Sequence, residues 1–125
     1  MIKLAKEACA KAYCPYSKFS VGAAVLSAAG EIFTGCNVEN ASYGLTICAE
    51  RSAIFHARCE GMERLAALVL YTPTAKPTAP CGACRQVINE FGGDARIICV
   101  CNGPAKIDMA LSELLPAAFG PRNLQ

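Results

Sequence analysis

Cys48-Ala49-Glu50-Arg51 and Pro80-Cys81-Gly82-Ala83-Cys84-Arg85-Gln86 are the two stretches on which the fold turns. Each stands where a helix is expected to begin. Cys81 and Cys84 are three apart, so at a helix start both sulfurs can face one point, which is a metal-ligand spacing. Cys48 lies two residues before Glu50, so one side chain can hold a metal while the acid reaches a water on it. Unpaired N–H groups give a helix N-terminus partial positive charge, and thiols ionise more easily there. Three thiolates around one Zn²⁺ leave one negative charge in excess. Arg51 and Arg85 follow the ligands directly, and at least one of them is expected to donate to a ligand sulfur. Three protein ligands leave a fourth position open, as in catalytic rather than structural sites. A water held there has a pKa lowered to about 7, and Glu50 can take its proton.

These residues resemble a known pattern. Zinc deaminases combine a Cys₃ or His/Cys₂ zinc site, a non-ligand Glu and the signature H-x-E…P-C-x-x-C. Here Cys48 stands at the position of the His. Phe19-Ser20-Val21-Gly22-Ala23-Ala24, Gly35-Cys36-Asn37-Val38-Glu39-Asn40-Ala41-Ser42-Tyr43 and Leu114-Leu115-Pro116 also resemble, in the same order, the small homotetrameric cytidine deaminases. The resemblance implies an α/β fold, a three-layer α/β/α sandwich with one mixed five-stranded sheet, over a single catalytic domain spanning 1–125. It implies one Zn²⁺ per subunit on Cys48, Cys81 and Cys84, with Glu50 as the catalytic acid/base. The reaction implied is hydrolytic deamination of cytidine and 2′-deoxycytidine to the uridines plus ammonia, in pyrimidine salvage. Phe19 is then expected to stack on the base, Asn37 and Glu39 to bind the ribose, and the Ala49 N–H to meet the base carbonyl. Phe119 resembles an aromatic lent to a neighbouring subunit's site. Two departures stand out: Ile47 where a polar or thiol residue is more usual, and Ala79 where Ser is common.

Blander assignments exist for each group. The motif cysteines can be small buried hydrophobes, as Cys9, Cys36, Cys59, Cys99 and Cys101 are expected to be from their apolar surroundings. A redox C-x-x-C leaves Cys48 and Glu50 unexplained. Glu50 can serve as a capping acid at a helix start, and this is compatible with catalysis. Arg51 and Arg85 can lie on a solvated helix face. His56, the one histidine, falls eight residues past Cys48 and is expected to pack on the helix face, which argues against a His base. Asn37 and Glu39 alternate with Val38, so they share a strand face and together can hold a sugar hydroxyl.

The chain of 125 residues is expected to form one domain with a real core. Hydrophobic residues make up 54% and charged ones 18%, which leaves little polar cover for a lone subunit and points to subunit interfaces. A net charge of +2 argues against a phosphate-tracking surface, so nucleic acid is not an expected partner. Nine cysteines, no apolar leader and no membrane-length apolar run predict a reducing, cytoplasmic setting without membrane attachment.

Apolar spacing predicts a helix over 2–13, ended by Pro15. Tyr16-Ser17-Lys18 leads into an extended run over 19–26, then a turn at Ala29-Gly30 and a second run over 31–38. Thr46 is expected to cap a helix over 47–59, stopped by Gly61. A buried strand over 65–71 follows, then a helix from Pro80 to Gly92-Gly93, a strand over 95–101, a short strand over 107–109 and a last helix over 111–115. Three rivals to the deaminase assignment remain: a deaminase of a cytosine nucleoside antibiotic of the blasticidin type, a polynucleotide deaminase, and a structural zinc or redox module without catalysis.

Overall fold

The computed structural model describes residues 1–125. Its elements are α1 (Ile2–Cys9), β1 (Gly22–Ser27), β2 (Ile32–Cys36), α2 (Ala49–Cys59), β3 (Leu65–Tyr71), α3 (Gly82–Phe91), β4 (Arg96–Val100), β5 (Ile107–Ala110) and α4 (Leu111–Leu114). Short 3₁₀ turns occupy Tyr43–Leu45 and Pro121–Leu124. The five strands form one sheet in the order β2-β1-β3-β4-β5. Only β3 and β4 run parallel, so the sheet is mixed. With β1 antiparallel to both β2 and β3, the carboxyl ends of β2, β3 and β4 lie at the same end of the sheet.

Strand alternation divides the core in two. Ala23, Val25, Leu68, Leu70, Ile97 and Cys99 face Ala49, Ala53, Ile54 and Ala57 of α2 and Ile88 of α3. Ala24, Val69 and Tyr71 face Ala5 and Cys9 of α1. Helices on both faces of one sheet make the expected three layers. Two glycines set how closely the layers approach. A Cβ on Gly22 of β1 would lie 1.9 Å from the Ala5 carbonyl oxygen, and one on Gly35 of β2 would lie 2.3 Å from the Ala53 nitrogen. Backbone therefore rests on backbone where α1 crosses β1 and where α2 crosses β2.

Several boundaries differ from the expected ones, each for a non-local reason. α1 ends at Cys9 rather than near 13, because Tyr13 is drawn out to pair with Val38: its N–H donates to the Asn37 carbonyl at 3.0 Å, and its carbonyl accepts from Glu39 N–H at 2.8 Å. β1 begins at Gly22 rather than at Phe19. The second run pairs regularly only over β2, with Val38 continuing as an isolated bridge to Ile47. That bridge keeps the chain extended through Ile47, so α2 starts after Cys48, and Cys48 rather than Thr46 occupies the cap position. The Thr46 hydroxyl instead accepts from Asn40 N–H at 3.3 Å. Pro80 precedes the cap residue Cys81 rather than opening α3. Gly61 does terminate α2, with a left-handed φ of +99°. Cys9, Cys99 and Cys101 are buried as expected, but Cys36 is half-buried and Cys59, the last residue of α2, is exposed.

Candidate active site

Both motifs reach the carboxyl end of the sheet by the same local device. Cys48 and Cys81 each hold an extended conformation (ψ 155° and 168°) immediately before a helix, and neither cap position is closed by a side-chain hydrogen bond. Their sulfurs are thus free to project past the first turn. Cys84 sits within the first turn of α3 and is fully buried. The sulfurs of Cys48, Cys81 and Cys84 all lie within 4.8 Å of one another. This is the spacing of one coordination sphere, and the donor set suits zinc.

Arginine chemistry agrees with an anionic sulfur cluster. Arg51 Nη2 donates to Cys48 Sγ at 3.2 Å. Its Nε is buried without a partner, so the guanidinium gives up water to stay beside the sulfurs. The proton affinity of Cys48 is lowered, first by the neighbouring Cys84 thiol and then, against desolvation, by Arg51. The Cys84 thiol is pushed well above its ordinary range, because it donates to Cys48 and is buried. Three sulfurs this close resist full ionisation together, and a divalent cation among them removes that conflict. Arg85 takes a different part: its Nε donates to the Pro80 carbonyl and its Nη1 to the Leu114 carbonyl, both at 2.8 Å. It braces the second motif against the end of α4 and donates to no sulfur.

A cleft of ≈ 240 Å³ opens beside the cluster, lined by Phe19, Asn37, Glu39, Cys48, Ala49, Glu50 and Cys81 among others. Glu50 is only 4% exposed. Its carboxyl is raised above the usual range by burial first, and the Cys48 charge adds to the effect. Ala49 is the first residue of α2, where the N–H has no partner within the helix, and it is fully buried against the cleft. The Val38–Ile47 bridge, with both N–H···O bonds at 3.0 Å, brings Glu39 to the same cleft as Cys48. Phe19 is 40% exposed at the rim.

Asn37 is 7% exposed and already half-committed. Its Oδ1 accepts from Val21 N–H at 2.9 Å and its Nδ2 donates to the Phe19 carbonyl at 2.7 Å, which leaves one N–H and one lone pair free. Phe119 is not among the residues lining the cleft. It is 59% exposed, and its carbonyl is held by Gln86 Nε2 at 2.8 Å and Asn89 Nδ2 at 3.2 Å. His56 lies outside the cleft, its Nδ1 3.1 Å from the Thr34 carbonyl and its ring edge-on to Phe33 at 5.5 Å. The structure adds Ser17, Val21, Thr46, Leu70 and Thr78 to the cleft wall. Of these, Leu70 is placed by strand alternation on the α2 side of β3, and Val21 lies in the Phe19–Ala24 run that resembles the family.

Comparison with known proteins agrees with this geometry. Residues 1–101 match the family described as cytidine and deoxycytidylate deaminase zinc-binding region. A cytidine deaminase of Halalkalibacterium halodurans is 47% identical over 125 residues, covering 99% of this chain and 95% of that protein. One of Sporosarcina psychrophila is 44% identical over 125 residues, covering 99% and 92%. The crystal structure of cytidine deaminase from Burkholderia pseudomallei superposes with a TM-score of 0.90 at 46% identity, covering 94% of this chain and 95% of that one. With a family match over residues 1–101 and near-full-length relatives at 44–47% identity, the chain belongs to the zinc-binding cytidine and deoxycytidylate deaminase family.

Proposed function

We propose that the chain, as one catalytic domain, hydrolyses the exocyclic amine of cytidine and 2′-deoxycytidine, giving the uridines and ammonia. One observation carries this: three sulfurs within 4.8 Å of one another and the buried Glu50 share a single nucleoside-sized cleft. Cys48, Cys81 and Cys84 hold the zinc, which when bound makes water a nucleophile near neutral pH. Glu50 accepts the proton of the attacking water and delivers it to N3 of the base as the C–O bond forms at C4. It then takes the remaining proton of the new C4 hydroxyl and gives it to the amine, so that the C4–N bond breaks, the oxygen becomes the C4 carbonyl and ammonia leaves. Its burial beside the sulfur cluster holds the carboxyl in place for both transfers. The Ala49 N–H receives the base carbonyl, Phe19 stacks on the base, and Asn37 and Glu39 take the sugar. Arg51 offsets the charge of the sulfur cluster through Cys48.

The sugar assignment is what favours an ordinary nucleoside over an antibiotic of the blasticidin type, since Glu39 and Asn37 line the same cleft as Glu50. A homotetramer in the cytoplasm completes the proposal. Tyr13, Tyr43, Leu45, Phe55 and Phe119 are large apolar side chains left exposed on one subunit, and Phe119 is free to reach a neighbour's cleft. No helix is long and apolar enough to cross a membrane. The test is ultraviolet absorbance on cytidine, 2′-deoxycytidine and the antibiotic nucleoside, with and without a zinc chelator, beside light scattering for mass. Chelator-sensitive loss of cytidine absorbance is expected. Turnover of the antibiotic nucleoside alone would assign the chain to that substrate, and metal binding without ammonia release from any of the three would leave only a structural zinc module.

A further inference from the structure

Glu39 is wrapped by the loop that carries Phe19. Its Oε1 accepts the N–H groups of Tyr16 at 3.0 Å and Ser17 at 3.1 Å, and its Oε2 accepts the Ser17 hydroxyl. Ser17 Oγ in turn accepts the Phe19 N–H at 3.0 Å. Lys18, with φ +60°, makes the tight turn that brings these donors together. A carboxylate offers about four lone-pair sites. The loop occupies both on Oε1 and one on Oε2, so a single acceptor site remains. The one proton of Ser17 is committed to Glu39, and its oxygen serves only as acceptor toward Phe19. Ser17 and Glu39 both line the cleft.

We propose that Ser17 is a positioning residue for sugar recognition: its hydroxyl locks the Glu39 carboxylate so that one oxygen site is presented to one ring hydroxyl of the nucleoside. This rests on the assignment of Glu39 to the sugar. An unclamped glutamate on a loop edge samples several rotamers, and binding would have to freeze them. The clamp does this beforehand.

The clamp also sets a proton affinity. The Ser17 hydroxyl hydrogen bond is the main cause holding the Glu39 carboxyl below its ordinary range, against desolvation and with help from the backbone N–H groups and Lys18. The titratable groups around Glu39 are Tyr13, Cys14, Tyr16 and Lys18 on the loop, Tyr43 at the mouth, and Cys48, Glu50 and Cys81 across the cleft. Lys18 is the one cation among them. Only the ionised carboxylate keeps its free site as an acceptor, so removing the Ser17 hydroxyl moves the acid limb of 1/KM to higher pH.

The experiment uses zinc-loaded enzyme: wild type, Ser17→Ala, Ser17→Thr, Glu39→Gln and the Ser17→Ala/Glu39→Gln double variant. KM and kcat are measured across pH for cytidine and for 2′,3′-dideoxycytidine, which lacks both ring hydroxyls. Ser17→Ala should raise KM for cytidine about tenfold while kcat stays within about twofold, and Ser17→Thr should restore KM. The penalty should fall below about twofold with the dideoxy substrate and in the Glu39→Gln background, because Ser17 acts through Glu39. An equal penalty in either case overturns the proposal and makes Ser17 a support for Phe19 only. If Glu39→Gln raises KM and Ser17→Ala does not, the role of Ser17 fails while the sugar assignment stands. If Glu39→Gln leaves the cytidine KM unchanged, the sugar assignment itself falls, and this proposal with it.

Discussion

Replacing Glu50 by glutamine removes one ionisable group and almost no volume, so it isolates proton transfer from packing. Glu50 is 4% exposed, and burial first, then the charge of Cys48, make its carboxyl hold a proton more readily than a solvated one. No other group in the cleft can replace it. Glu39 has three of its four acceptor sites taken by Tyr16 and Ser17 and its last is assigned to the sugar, and the single histidine is outside the cleft. One positioned acid/base is worth roughly 10²–10⁴ in rate, and in the proposed reaction the same carboxyl serves two transfers. We expect kcat on cytidine to fall about 10³–10⁴-fold, or ~4–5.5 kcal/mol of barrier. Zinc content, measured by plasma emission, should stay at one per chain because no sulfur is touched. Stability should move the other way. A group whose proton affinity is raised by folding contributes fully below its unfolded pKa and loses that contribution as pH rises through the folded value. Glutamine carries no charge to desolvate, so with the metal chelated away the variant's Tm at pH 7 should equal or exceed that of zinc-free wild type. A kcat within tenfold of normal at full zinc occupancy would refute the proton-transfer role. Loss of zinc would instead assign the carboxyl to holding the metal site together.

Other perturbations test the frame around that acid. Cys84→Ala removes the buried member of the sulfur cluster, and zinc retained after dialysis should drop from one to near zero per chain, with Tm falling. Gly35→Ala places a methyl 2.3 Å from the Ala53 nitrogen and 2.8 Å from its Cα, so β2 and α2 must separate. A loss of ~3 kcal/mol or more is expected in urea unfolding, with the cleft damaged through α2. Asp108 is held below its ordinary range by Arg96, whose Nε lies 2.6 Å away. Its contribution to stability is present above the unfolded carboxylate pKa and lost as pH falls through the folded one. The urea midpoint of Arg96→Gln should therefore fall less between pH 6 and pH 3 than that of wild type, while deamination at pH 7 is unchanged.

What could be read from the sequence alone was whatever short-range chemistry determines. The Leu65–Tyr71 run is apolar on both faces and bounded by Gly61 and Pro73, so β3 begins and ends where expected. The C-x-x-C at a helix start places Cys81 and Cys84 near one point with no knowledge of the rest of the chain, and the pairing of Cys48 with Glu50 does the same for the acid. Features that depend on a partner far along the chain were not legible. Tyr13 looks like the end of a helix until Val38 is beside it, and Thr46 looks like a cap until the Val38–Ile47 bridge holds the chain extended past it. Arg85 could have gone to a sulfur or to solvent, and the choice was made by the Leu114 carbonyl, 29 residues away. The same distinction explains why Ser17 drew no notice in its own neighbourhood. Its function is defined by a carboxylate 22 residues later, and the value of that carboxylate lies in the site it has left over. Residues that carry the reaction announce themselves by type and spacing, because metal and proton chemistry admit few substitutes. Residues that aim them are ordinary in type, and only the folded chain, by accounting for every donor and acceptor, singles them out.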